Sequence, residues 1–250
     1  MRVAAAILLC AGMVACTAAR PAPPPAPAPP AEPYEVLVFS RTAGFRHESI
    51  PAGIQAVRDL GAANSFRVTA TEDAAQFSTA NLARFRVVIF LNTTGDVLDA
   101  AQQTAFEAYV RGGGGFVGVH AAADTEYDWP FYGQLVGARF ARHPRIQPVT
   151  VRVRDRTHPA TAHLPAAWRV TDEPYDFRTR PREGVRVLAT LDESTYAGGT
   201  MGADHPIIWC HPVGDGRSFY TGLGHRTELY ADPDFRRVLL GAIRYAAGRP

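Results

Sequence analysis

Between residues 35 and 119, short apolar runs rich in β-branched and aromatic residues alternate with segments of helical spacing, and this alternation restricts the fold more than any other feature. A strand, a crossover and a second strand close as a right-handed unit, and several such units build a parallel sheet with helices on its faces. The apolar runs are Glu35-Val-Leu-Val-Phe-Ser40, Phe66-Arg-Val-Thr-Ala70, Arg86-Val-Val-Ile-Phe-Leu91 and the segment from the glycines at 112–115 to Val119. The third is apolar enough to be buried on both faces, as interior parallel strands are. A helix is predicted from about Ser49, with Ser49 as N-cap, Pro51 in the first turn, Ile54, Val57 and Leu60 on one side, and Gly61 as its stop. Asp99 reads as the N-cap of another helix through Phe106 and Val110, which the glycine run ends.

The second half is less regular. Pro148–Val153, Val185–Leu191, His205–Trp209 and Ser218–Gly222 read as further strands, with Trp168-Arg-Val-Thr as an edge segment. Asp232 followed by Pro233 opens a last helix. The expected fold class is α/β, a three-layer sandwich with a partly antiparallel extension. Residues 34–249 suit one domain, because 46% apolar composition supports a single large core and no second proline-rich break occurs.

The N-terminus carries a different signal. Residues 3–15 form an apolar run behind Arg2, shorter than the roughly 20 residues a membrane-spanning helix needs, and residues 1–16 read as an export signal. Its end, Met13-Val14-Ala15-Cys16, resembles a bacterial lipoprotein box, which would make Cys16 the lipidation site; plain secretion after Thr17-Ala18-Ala19 is the alternative. Residues 17–33 read as a linker whose eight prolines favour extended polyproline II, long enough to hold a domain roughly 40 Å from its anchor. The expected location is therefore the periplasm or cell envelope, with membrane contact only through a lipid. Cys210 is then the one thiol of the domain, so no disulfide framework exists, and its place after the apolar Pro206-Ile-Ile-Trp reads as a buried inert group. With 26 basic against 24 acidic residues and no basic stripe interleaved with aromatics, nucleic acid is not an expected partner.

The chemistry-bearing residues collect just beyond predicted strand ends, where open parallel sheets hold their ligands. His120 follows the buried strand directly and is the leading candidate, with Asp124 in the turn after it. Thr42-Ala-Gly-Phe-Arg-His47 follows the first strand and offers Arg46 and His47; Asp172-Glu-Pro-Tyr-Asp-Phe177 offers Glu173 and Tyr175; Gly222-Leu-Gly-His225 offers His225. Three histidines each beyond a strand end point to one shared site. His143 and His158, each before a proline, are lesser candidates, while His163, His205 and His211 read as structural or surface residues. Trp129, Phe131 and Tyr132 could form an aromatic wall for a sugar face or belong to the core.

Five spaced motifs together resemble the ThuA-like (trehalose utilisation) family: Thr42-x-Gly-Phe-Arg-His47, Gly112-Gly-Gly-Gly-Phe-Val-Gly-Val-His120, Tyr132-x-x-Leu-Val-Gly-x-x-Phe140-x-x-His143-Pro144, Asp172-Glu173-x-Tyr175 and Gly216-Arg-x-Phe-Tyr-x-x-Leu-Gly-His225. The resemblance covers about residues 34–247. It implies a flavodoxin-like, mainly parallel sheet similar to class I glutamine amidotransferases. The corner that carries a nucleophilic cysteine in those enzymes carries His120 here, so amidotransferase chemistry is not expected. The family is associated with trehalose and related disaccharides, through 3-keto sugar derivatives, so the implied partner is a small carbohydrate. A C3 ketone acidifies the C2 proton, and a histidine base with a hydrogen-bond donor could drive elimination of the glycosidic group. On that reading His120 is base or acid, His47 and His225 polarise the carbonyl, Glu173 is a second proton-transfer group, and Arg46, Asp124, Tyr175, His143 and Trp129 bind substrate. Two alternatives remain: a metal-dependent hydrolase, with His47, His120, His225 and Glu173 as ligands of a divalent ion such as zinc, and a non-catalytic sugar-binding lipoprotein.

Overall fold

The computed structural model describes residues 32–181 and 184–249. The signal segment, Cys16 and nearly all of the proline-rich stretch lie outside the described residues. In chain order the elements are β1 (Tyr34–Phe39), α1 (Ile50–Ala63), β2 (Phe66–Thr71), α2 (Thr79–Leu82), β3 (Phe85–Leu91), α3 (Ala100–Arg111), β4 (Gly115–Val119), α4 (Pro130–Val136), β5 (Phe140–Arg142), β6 (Gln147–Val153), β7 (Ala167–Asp172), β8 (Asp176–Phe177), β9 (Arg186–Leu191), β10 (His205–Val213), β11 (Gly216–Thr221) and α5 (Pro233–Ala247).

One nine-stranded sheet, in the order β2-β1-β3-β4-β11-β10-β9-β6-β7, carries the fold. From β2 to β11 every pairing is parallel, and from β11 to β7 every pairing is antiparallel. Four reversals beyond β11 leave the edge strand β7 running in the same sense as β4. The carboxyl ends of β1, β4, β11 and β7 therefore emerge along one edge of the sheet. The β5–β8 pair stands apart as a two-stranded ribbon that the sequence did not signal, both strands being very short.

Strand pleating shows the layers directly. Adjacent residues of β3 point to opposite faces: the Phe90 ring meets Phe106 of α3 and Tyr132 of α4, whereas Leu91 lies against Gly53 of α1. β3 is buried from Val87 to Leu91, as its unbroken apolar run predicted, and β4 is buried throughout. The result is a three-layer α/β sandwich with an antiparallel extension.

The helix ends agree only partly with their sequence signals. Asp99 and Gln102 form a reciprocal capping box on α3, and the Asp232 carboxylate accepts from the Phe235 backbone N–H behind Pro233. Ser49, however, caps nothing with its side chain: its hydroxyl donates 3.3 Å to the Gly224 carbonyl, tying the start of α1 to the loop beyond β11. Nor does Gly61 stop α1, which continues to Ala63; a Cβ at 61 would lie 2.6 Å from the Phe66 carbonyl, so glycine is there to let the helix pack on β2. Among the described residues no helix is long and apolar enough to cross a membrane.

Candidate active site

His120 occupies the corner where β4 gives way to a short 3-10 turn, with φ of 48° and no solvent exposure. A non-glycine residue holds this left-handed conformation only when its surroundings fix it. They do: the Tyr220 hydroxyl donates to the His120 carbonyl at 2.7 Å, and His120 Nδ1 lies 2.8 Å from the Gly222 carbonyl at the end of the neighbouring strand β11. A carbonyl only accepts, so Nδ1 carries a hydrogen, and Nε2 is the nitrogen turned toward the rest of the site.

Nε2 faces the other candidates. His120 Nε2 is 3.3 Å from His225 Nδ1 and 3.5 Å from Glu173 Oε2, and His225 Nδ1 is 3.2 Å from the same carboxylate oxygen. His47 completes the group, its ring centroid 5.0 Å from His120 and 5.1 Å from His225. Donor atoms of all four residues lie within 4.8 Å of one another. His47, His120 and Glu173 are buried, and His225 is largely so.

Burial and mutual charge separate the titrations. His47 is pushed down to about 3, first by burial and then by the His120 and His225 charges, so at neutral pH it is uncharged. Burial alone would raise the Glu173 carboxyl, yet its contacts with His120 and His225 hold it well below the usual carboxylate range. For His225 burial acts downward, but the hydrogen bond and charge of Glu173 outweigh it and raise the ring above the ordinary histidine value. His225 Nδ1 thus sits within 3.3 Å of both Glu173 Oε2 and His120 Nε2. The Glu173 carboxylate favours a proton on the His225 ring beside it.

Surrounding groups hold this arrangement. Asp172, fully buried, accepts the backbone N–H groups of Gly224 at 2.7 Å and Arg226 at 3.1 Å, bracketing His225 from both sides. Gly224 has φ of 123°, which a side chain at this position would strain. Asn92, at the end of β3, donates to the Ser49 hydroxyl and the Gly224 carbonyl. His143 Nδ1 reaches the second Glu173 oxygen at 3.0 Å and is half exposed. Tyr175 lies on the His120 ring with centroids 3.9 Å apart and is itself buried, so it contributes a wall. The buried His205, expected to be structural, anchors that wall: its Nε2 donates to the Tyr175 carbonyl and its Nδ1 meets Glu193.

The remaining expectations divide. Asp124 is half-buried, accepts from the Tyr127 hydroxyl at 2.7 Å, and has its carboxyl raised by burial. Arg46 stands at the mouth and is committed to Glu72 at 2.6 Å, a partner distant from the histidines in sequence and exposed to solvent. Trp129 is not at the site: it packs among Phe106, Phe131 and Tyr132 in the core beneath α4. Cys210 is buried with its thiol raised to about 11 by burial, which leaves no thiolate for catalysis.

A cleft of about 430 Å³ opens beside His225, with Phe45 and Ile146 on its walls and Arg226 and Glu228 across from them. Phe45 and Ile146 are the exposed large apolar side chains among the described residues, and the edge-on Phe45 ring lies 4.9 Å from His47. Sequence reasoning missed both, because nothing in a local pattern separates an exposed aromatic from a buried one. Asp172 and Asn92 were missed as positioning groups; the acidic tandem at the end of β7 was the only signal for the former.

A flavodoxin-like α/β sandwich with a histidine–carboxylate cluster at its strand ends defines the class. The trehalose-utilisation (ThuA) family pattern matches residues 35–246, and the chain belongs to that family. Among solved structures it is similar to a ThuA-like protein from Bacteroides uniformis, at 26% identity over 89% of this chain and 94% of that one with a TM-score of 0.74. A ThuA-like protein from Parabacteroides merdae shares 23% identity over 87% and 91% of the two chains, with a TM-score of 0.73. A β-galactosidase from Bacillus circulans shares the fold alone, at 14% identity and a TM-score of 0.55, this chain covering 31% of it. No curated protein matches the sequence.

Proposed function

We infer that this ThuA protein is a carbohydrate-active enzyme that works on a disaccharide or 3-keto-glycoside through the His47–His120–Glu173–His225 cluster, without a cysteine nucleophile. The carrying observation is the convergence of His120 Nε2, His225 Nδ1 and Glu173 Oε2 within 3.5 Å of one another, with Glu173 raising the His225 ring and His47 pushed down to about 3. Neighbouring groups whose environments drive their titrations apart can act as acid and base at one pH. With a 3-keto sugar in the cleft that His225 lines, one group of the cluster would accept the C2 proton while a neighbouring one stabilises the enolate oxygen. The electron pair then expels the C1 glycosidic oxygen, which takes up the proton removed from C2. Phe45 supplies an apolar face for a sugar ring at the mouth.

The family's link to trehalose makes 3-keto-trehalose the first substrate to try, with other 3-keto-glycosides beside it. Turnover by the native protein and its loss in His120→Ala support the reading. Binding without turnover in both would identify a sugar-capture protein instead. Export as a lipoprotein is proposed from residues 1–16 alone, and mass spectrometry of the mature N-terminus, looking for a diacylated Cys16, tests it.

A further inference from the structure

We propose that His47, His120, His225 and Glu173 form a binding site for a single divalent first-row metal ion, with zinc as the first probe. The idea rests on the cluster being the working centre, as inferred above, and names a cofactor for it: with an ion bound, His120 and His225 would be ligands, and the ion would supply the positive charge that faces the enolate oxygen.

Distances carry the argument. Four donors bonded at about 2.0–2.1 Å to a tetrahedral ion stand about 3.3 Å from one another, the edge of that tetrahedron. The contacts among His120 Nε2, His225 Nδ1 and Glu173 Oε2 are 3.3, 3.5 and 3.2 Å. Three imidazoles on such an ion place their ring centroids about 5.2 Å apart. The observed separations among His47, His120 and His225 are 5.0, 5.1 and 5.2 Å, with the rings steeply inclined to one another at 74° to 89°.

Protonation and hydrogen bonding agree with this. Metal-binding imidazoles commonly donate their other N–H to a carbonyl, fixing the tautomer, as His120 does to Gly222. The spare Glu173 oxygen is held by His143, a further outer contact of that kind. His47 has a buried Nδ1 without a hydrogen-bond partner. Three neutral imidazoles and one carboxylate are borderline-soft donors that suit zinc and its first-row neighbours better than calcium or magnesium.

A second group, Asp176, Glu193 and His205, is also closely spaced, but its donors are already engaged. Arg142 and the Thr200 hydroxyl occupy Asp176, the Met201 and Gly202 backbone N–H groups occupy Glu193, and both His205 nitrogens are engaged. The contrast singles out the first cluster.

The test is metal content by plasma mass spectrometry after the full chain is stripped with a chelator, incubated separately with zinc, manganese, ferrous and cobaltous ions, and desalted. One equivalent of ion per chain is expected for at least one metal, with tetrahedral ligand-field bands in the cobalt form. His47→Gln and Glu173→Gln should each lower retention at least tenfold while thermal unfolding shows a folded protein. A folded native chain that retains none of the four ions overturns the proposal, as does an ion lost in Glu193→Gln but kept in both cluster variants. Bound metal without sugar turnover leaves this site standing and removes the proposed activity. Turnover that survives complete stripping leaves the proposed activity standing and overturns the ion as its cofactor.

Discussion

His120 Nδ1 donates to the Gly222 carbonyl at 2.8 Å, joining the carboxyl ends of the neighbouring parallel strands β4 and β11 and setting the tautomer of the ring. The bond turns the other ring nitrogen, Nε2, toward His225 and Glu173. His120→Ala should abolish turnover of 3-keto-glycosides, and because the ring is fully buried it should also lower unfolding free energy by about 2 kcal/mol. Steady-state kinetics and urea denaturation measure the two effects; a variant with native rates would remove His120 from the mechanism.

Asp172→Asn keeps the shape of the side chain but replaces one of its two acceptor oxygens with a donor facing a backbone N–H. A buried donor left without an acceptor costs about 1–3 kcal/mol. Positioning groups of this kind change activity by about 10–100-fold, so kcat should fall in that range while the far-ultraviolet spectrum stays native. If denaturation midpoint and kcat are both unaltered, Asp172 does not hold the His225 loop.

Cys210→Ala should leave turnover untouched, since the thiol is buried and titrates near 11. The native protein should likewise resist iodoacetamide at neutral pH and become labelled only in denaturant. Inactivation by alkylation of the folded chain would contradict this.

Trp129→Ala should cost about 3 kcal/mol or more of stability, because the indole packs against Phe106, Phe131 and Tyr132. KM should not change. A raised KM with unaltered stability would return Trp129 to the substrate cleft.

His158 is buried, accepts from the Ala160 backbone N–H at 3.1 Å, and titrates near 4 through burial. The unfolded chain takes up a proton there below about 6.5, before the folded chain does, so stability is lost as pH falls from 6.5 toward 4. Between pH 7 and 5 the native protein should lose about 2 kcal/mol more than His158→Gln does. Denaturation of both proteins at the two pH values checks this, and equal losses would show that His158 is protonated alike in both states.

The fold was legible where local pattern and tertiary environment agree. β3 needed both faces buried, and its apolar run said so; Asp99 and Asp232 announced their helices because capping is a contact within three residues. Ser49 holds the N-cap position of α1 as expected, but its side-chain partner and the role of Gly61 could not be read, for the opposite reason. The Ser49 hydroxyl has a partner 175 residues away, and the Gly61 backbone is pressed on Phe66. The site divides in the same way: strand ends could be read, hence His120, His225, His47 and Glu173, but Arg46 could not be known to pair with Glu72, nor Trp129 to lie in the core.

The sequence by itself determined the alternation of strands and helices and the residue types at each strand end, because periodicity and capping act over a few residues. Only the tertiary structure decided that β7, after four reversals, would bring Glu173 to the same edge as the histidines. It alone set which nitrogen of His120 faces His225 and Glu173, since hydrogen-bond partners and burial depend on segments that meet only in the folded chain.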